Sequence, residues 1–233
     1  MKEQYRTPDK TPVTPDFFRQ PTLELATSLL GMELVHETAE GTAAGMIVEV
    51  EAYMGPEDKG AHSYGGKKTR RTEVMFGPPG HAYVYLIYGM YYCFNVVSGP
   101  PGKPEAILVR ALEPTEGIPL MAQRRRMSLP SGLEKVVNEP GNQSFSHDAI
   151  SATSLRLLKG LTNGPGKLCT ALGITKEQYG WDLARAPLYL RPGRGSIHSE
   201  QIARGPRINI DYAEEAKEYP WRFWIRDNPF VSR

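Results

Sequence analysis

An α+β fold, one mixed domain around a substantially antiparallel sheet, is what this sequence predicts. Three observations carry that expectation. Met46 to Ala52 alternates, with Met46, Val48, Val50 and Ala52 on one face and Ile47, Glu49 and Glu51 on the other, which is the period of a strand. Ala82 to Ser98 is rich in β-branched and aromatic residues around Gly89 and reads as a hairpin. Short helical patterns lie before and after these strands, with no internal repeat and no linker to divide the chain.

Each element has its own signal. Residues 1–16 are polar and rich in Thr and Pro, and are expected to be a loose N-terminal arm. The domain proper is expected over 17–233, with ordered contacts beginning near Phe17 and Phe18. Leu23, Ala26, Leu29 and Leu30 recur at helical spacing between Pro21 and Gly31, which places a helix there. Met32 to His36 reads as a short strand, and Gly41 opens a turn. In the strand 46–52 the aliphatic face is expected in the core, so both glutamates face the other way, toward solvent or a groove. Gly55 to Pro79 is a long connection rich in glycine and charge, a length that compact domains usually keep for function. Ala106 to Leu112 is a further strand and carries Arg110. Thr115 to Met127 is expected to be helical, with Pro119 in its first turn. Residues 128–148 are polar and read as an insertion. Ser151 to Lys159 is a short helix, and Asn163-Gly164-Pro165-Gly166-Lys167 introduces another that ends near Gly173. Leu188 to Arg191, Arg207 to Ile210 and Arg222 to Arg226 are expected as strands.

Composition narrows the chemistry. The 233 residues are 40% hydrophobic and 23% charged, as in a soluble globular protein, and the net charge of +2 excludes a uniformly basic surface. Local basic clusters remain at Lys67, Lys68, Arg70 and Arg71, at Arg124 to Arg126, and at Arg204 and Arg207. They read either as solvated charge or as phosphate contacts, which need only local positive charge. Cys93 and Cys169 are the only cysteines and form no Cys-x-x-Cys pair, and the five histidines are scattered, so no metal site is expected. Two isolated cysteines suit a reduced cytoplasmic protein, nucleoid-associated if the source is bacterial. No run of about 18 apolar residues exists, so neither a membrane span nor a signal peptide is expected.

The residues with chemistry to offer cluster in two segments. Glu51 stands at the end of the strand 46–52, Tyr53 and His62 follow it, and Tyr83, Tyr85, Tyr88 and Met90 crowd the hairpin. A tyrosine alone merely suits a half-buried β-surface. Together with Tyr53 and His62, however, these rings could form a slot for a planar, electron-poor or cationic base, with each good contact worth roughly 0.5–2 kcal/mol. Glu51 could then stabilise positive charge on a sugar and deprotonate a water at the anomeric carbon. A single carboxylate suffices when the base is already a good leaving group, unlike the paired carboxyls of O-glycoside hydrolysis. Tyr88, at the hairpin tip, is placed to act as a wedge between base pairs. If Tyr83, Tyr85 and Asn95 face one pocket, strand alternation requires an odd-numbered loop, and the simplest is Tyr88-Gly89-Met90 with a positive φ at Gly89 or a neighbour.

Glu51-Ala52-Tyr53, Gly55-Pro56-Glu57-Asp58, His62-Ser63, Gly65-Gly66, Met75-Phe76, Tyr83-Val84-Tyr85, Ile87-Tyr88-Gly89-Met90-Tyr91, Asn95 and Arg110-Ala111-Leu112-Glu113-Pro114 resemble the alkyladenine (3-methyladenine) DNA glycosylase family. Gly164-Pro165, Lys167-Leu168-Cys169 and Pro229-Phe230-Val231-Ser232 are similar too, so the resemblance runs from about residue 17 to the end. It implies a curved antiparallel sheet with a protruding β-hairpin, no metal and no organic cofactor. It implies that Glu51 is the general base and that Arg110 helps hold the water. Tyr53, His62, Tyr85 and Asn95 would line the base pocket, with Asn95 crowding the exocyclic amine of normal guanine. Tyr88 would intercalate with Met90 beside it, and the backbone at Ile208 would complete the water site. The partner would be double-stranded DNA containing damaged purines, bound by a monomer. No lysine replaces the water nucleophile, so lyase chemistry is not expected.

Three features depart from the family pattern: Tyr64 and Lys67-Lys68 after His62, the stretch 128–148, and Asn209 where a glycine would stand. The rival reading is a non-catalytic damaged-DNA-binding protein using the same aromatic hairpin, which would need neither Glu51 nor Arg110. A zinc deaminase would need His-x-Glu and Cys-x-x-Cys patterns that this sequence lacks.

Overall fold

In the computed structural model of the chain, which describes residues 11–130, 133, 151–193 and 195–232, one long strand organises the sheet. β1 (Glu33–Thr38) turns through Ala39 and Glu40 into β2 (Gly41–Tyr53), and the two pair antiparallel as far as Glu33 opposite Met46. β3 (Ala82–Ile87), β4 (Tyr91–Ser98) and β5 (Glu105–Glu116) form an antiparallel meander, and β5 joins the other side of β2. β6 (Leu188–Arg191) pairs with β1, giving the order β3-β4-β5-β2-β1-β6. β7 (Ile202–Gly205) pairs with β8 (Arg222–Ile225), and β8 takes the side of β2 that β1 has left, opposite Glu49 to Glu51. A strand that changes partner along its length must bend. Register shifts against β5 at Ala44/Gly45, Ile47/Glu49 and Glu49/Val50 supply that bend. The result is the curled antiparallel sheet of an α+β domain.

Alternation along the strands divides the two faces. Val48, Val50 and Ala52 of β2, Val84 of β3, Phe94 and Val96 of β4, and Ile107 and Val109 of β5 share one hydrophobic core. Helices α1 (Thr22–Leu29), α2 (Ile118–Arg124), α3 (Ala152–Thr162) and α4 (Pro165–Leu172) bury their apolar residues in it. Pro119 does sit in the first turn of its helix, where its missing N–H costs nothing. Ile47, expected on the opposite face from Val48, is also in this core, because the bulge after it breaks the alternation.

The other face carries polar groups. Glu49 and Glu51 do point away from the aliphatic core, but toward neither solvent nor an open groove: both are fully buried. Arginines and backbone donors enclose them, which is what a buried carboxylate requires.

The connection 55–79 is tied down by short 3-10 turns at Gly55–Glu57, Tyr64–Gly66 and Glu73–Phe76. The Asp58 carboxylate closes its first part by accepting from the N–H groups of Met54 (3.0 Å) and Gly60 (2.9 Å). The strand expected over 207–210 is not formed; β7 lies upstream at Ile202–Gly205. Pro206 ends β7, and Asn209 adopts φ 59°, which no strand accommodates. Within the N-terminal segment expected to be loose, Val13 is buried and its N–H donates to the Leu190 carbonyl at 2.9 Å. Most of the insertion expected at 128–148 lies outside the described residues.

Candidate active site

Ladder register builds a row of side chains across four strands. Tyr83 lies opposite Asn95, Asn95 opposite Leu108, and Leu108 opposite Glu51. Residues directly opposite share a face, so the aromatic strand and the acidic strand address the same space. That space is a cavity of about 330 Å³ lined by Tyr53, His62, Tyr83, Tyr85, Asn95 and Arg110, among others. Tyr88 and Ile208 also reach it.

Glu51 lies behind this lining. Its Oε1 accepts from the Ile208 N–H at 2.7 Å and faces Arg110 Nη1 at 3.2 Å, while its Oε2 accepts from the Tyr53 hydroxyl at 2.8 Å. The Tyr53 phenol stays protonated, its pKa raised well above normal by burial and then by the Glu51 charge. The backbone at Ile208 can approach because the next residue, Asn209, takes the left-handed conformation at φ 59°. Asparagine tolerates that conformation, so the substitution for glycine leaves the contact intact.

Arg110 is shared between two carboxylates. Its Nε donates to Glu49 Oε1 at 3.1 Å and its Nη2 to the Ser232 hydroxyl at 3.3 Å. Burial works against its charge, but Glu51 and Glu49 outweigh that and raise its pKa. Glu49 also accepts from Arg222 Nε at 2.7 Å and from the Ser232 N–H at 2.6 Å.

His62, Tyr83 and Tyr85 form an aromatic wall. The His62 ring meets Tyr85 edge-on at 4.7 Å between centroids, and Tyr83 lies 5.3 Å from Tyr85. His62 Nδ1 lies 2.8 Å from the Tyr83 hydroxyl, and its Nε2 accepts from Arg71 at 3.2 Å. With Nε2 as acceptor, the single ring proton belongs on Nδ1. Enclosure of the ring, and then the Arg71 charge, hold its pKa down to about 4, although one edge of the residue stays open to solvent. The Arg71 guanidinium also covers the Tyr85 ring at 4.6 Å. Burial pushes the Tyr83 hydroxyl up to about 12 and raises Tyr85 further, so the wall is uncharged at neutral pH. Asn95 is fixed by its Nδ2 donating to the Tyr83 carbonyl at 3.0 Å.

Tyr88 and Met90 stand at the hairpin tip, 77% and 68% exposed. Every predicted site residue therefore falls in or beside one cavity, except Met90, which flanks Tyr88 on the exposed tip. Sequence reasoning missed four contributors. Glu49 had no role beyond sharing a face with Glu51. Arg71 was one of a basic run, and its stacking on Tyr85 and its hydrogen bond to His62 single it out. Arg207, read within a surface cluster, is fully buried: it pairs with both oxygens of Asp58 and lies 4.7 Å over the Tyr53 ring, bracing the cavity from behind. Tyr212 lines the cavity while 68% exposed, and lies in a stretch with no sequence signal. Among the described residues no group of three His, Cys, Asp or Glu side chains is placed to hold a metal.

The profile of the family described as "Methylpurine-DNA glycosylase (MPG)" matches residues 16–229. Proteins of Bacillus cytotoxicus, Bacillus cereus and Bacillus anthracis, each named "Putative 3-methyladenine DNA glycosylase", are 50% identical to this chain over 222 residues. That span is 94% of this chain and 98% of each relative.

Proposed function

The chain belongs to the methylpurine-DNA glycosylase family, and we propose that it turns an alkylated purine out of the DNA duplex and hydrolyses the bond joining that base to its sugar. It is an enzyme of base excision repair, a hydrolase of N-glycosyl bonds whose substrate is DNA. The observation that carries the finer reading is the set of partners around Glu51, a buried carboxylate one layer behind an aromatic cavity, held by Arg110, Tyr53 and the Ile208 N–H.

The extruded base enters the slot between Tyr53, His62 and Tyr85. Uncharged rings favour an electron-poor or cationic purine over a normal one, because its positive charge meets the negative faces of the rings. Glu51 takes a proton from a water as the water oxygen bonds to the anomeric carbon. The carbon–nitrogen bond breaks with its electron pair leaving on the base, which neutralises a base already cationic. Arg110 holds the water and Glu51 against each other, and the product is an abasic site. Tyr88 fills the gap left in the stack. The protein works as a monomer in the cytoplasm, on chromosomal DNA. Deaminated purines such as hypoxanthine fall within the same slot, with slower excision because a neutral base leaves less readily.

The test is incubation with duplexes bearing one N-methylated purine or one hypoxanthine, followed by chromatography of the released base. Glu51→Gln should bind the lesion duplex but excise about 10²–10⁴-fold more slowly in a single turnover. Near wild-type excision by that variant would end the assignment of Glu51. Lesion binding by the wild-type protein with no base released would favour a non-catalytic damage-binding role.

A further inference from the structure

We propose that Glu49 is a positioning residue for Arg110, and that Ser232, the residue before the last, belongs to the same device. This rests on the reading of Glu51 and Arg110 given above. Glu49 is fully buried, and a carboxylate there is tolerated only with charged or hydrogen-bonding partners. Its partners are specific. Two guanidiniums, those of Arg110 and Arg222, converge on Oε1, and the Ser232 N–H takes Oε2. Arg222 is itself fixed, 4.6 Å over the Trp224 ring and donating to the Ser232 carbonyl at 3.3 Å. Phe230, two residues before Ser232, is anchored in the main core.

The nitrogens of Arg110 are divided among three partners: Nε donates to Glu49, Nη2 donates to the Ser232 hydroxyl, and Nη1 forms an ion pair with Glu51 at 3.2 Å. A guanidinium is a rigid planar fork. Holding Nε and Nη2 therefore dictates where Nη1 points, and leaves it as the one Arg110 nitrogen placed against Glu51. Without Glu49, the neighbouring carboxylate open to Arg110 is Glu51 itself. A fork-to-fork pair would then compete with the Tyr53 hydroxyl and the Ile208 N–H for the Glu51 oxygens and turn the carboxylate away from its present orientation. Strand alternation puts Glu49 and Glu51, at i and i+2, on one face of β2, so both can meet one arginine.

The test is a double-mutant cycle on single-turnover excision of an N-methylated purine, with lesion-duplex affinity and thermal melting measured alongside. Glu49→Gln should slow excision ~10–100-fold, as loss of an outer partner of a reacting group does, while affinity stays within about twofold. In an Arg110→Ala background the same substitution should cost less than about twofold, because the group it acts through is gone. An equal loss in both backgrounds would overturn the proposal, since a merely structural defect does not depend on Arg110. If Glu49→Gln does not fold, Ser232→Ala carries the cycle, as it removes only the hydroxyl facing Nη2. A rate loss confined to the Arg110 background supports the proposal, and no loss overturns it. Glu51→Gln, run in parallel, separates the two claims: near wild-type excision by that variant sinks the reading of Glu51, whatever the cycle returns.

Discussion

His62 carries no charge at neutral pH, because enclosure of its ring and then the neighbouring Arg71 charge hold its pKa down. On the proposed function that matters, since a protonated imidazole would repel a cationic base entering the slot. The pKa of about 4 against an ordinary 6.5 also has a stability consequence. Between those values the unfolded chain binds a proton that the folded chain does not. This contribution is therefore complete above about pH 6.5 and is lost as the pH falls toward 4. Labelled-histidine NMR should show one resonance titrating near pH 4 that Arg71→Ala moves upward. All five histidines titrating above pH 6 would contradict it. At this scale the sequence revealed the motif residues Glu51, Tyr53 and His62, which stand close together. It concealed the work of Glu49, whose partners lie 61 to 183 residues away, and of Arg207, whose carboxylate partner Asp58 lies 149 residues away.

The hairpin shows what strand periodicity can settle. Requiring Tyr83, Tyr85 and Asn95 on one face demanded an odd loop. The ladder pairs Tyr83 with Asn95, Tyr85 with Cys93 and Ile87 with Tyr91, which leaves Tyr88-Gly89-Met90 as the loop. Tyr88 and Gly89 both have positive φ, 53° and 67°. A tyrosine in that conformation is strained, and strain at an exposed tip suits a residue kept there for a task rather than for packing. The strand expected at 207–210 is absent because Asn209 takes a positive φ there, beside the Ile208 N–H that donates to Glu51. As a wedge, Tyr88 should matter most when the lesion must be unstacked, which costs a few kcal/mol. Tyr88→Ser should therefore slow excision from a paired duplex by at least ~10-fold more than from a bulge carrying the same lesion. Equal losses on both substrates would make Tyr88 a structural residue only.

Taken whole, the molecule must hold a polyanion with a net charge of only +2, so the placement of its cations decides where DNA lies. Two of the three basic clusters have members tied to partners within the protein, while Arg126 and Arg204 stay exposed. Arg207 is buried against Asp58, Arg124 pairs with Glu40 at 2.8 Å, and Arg125 donates to the Gly160 carbonyl. The cluster at Lys67, Lys68 and Arg70 stays exposed on the loop that leads from His62 to Arg71. It lies on the chain segment that also builds the aromatic wall, so a backbone gripped there is held beside the cavity. The dependence of affinity on salt reports how many phosphates are gripped, because each neutralised phosphate releases counterions. Replacing both Lys67 and Lys68 with alanine should flatten the slope of log affinity against log salt by about 1.8, at roughly 0.9 for each phosphate no longer neutralised. Damaged and undamaged duplexes should weaken alike, and single-turnover excision at saturating enzyme should stay at the wild-type rate. An unchanged slope would move the phosphate path away from this loop, and a slower excision rate at saturation would show that the loop shapes the cavity instead of steering the DNA.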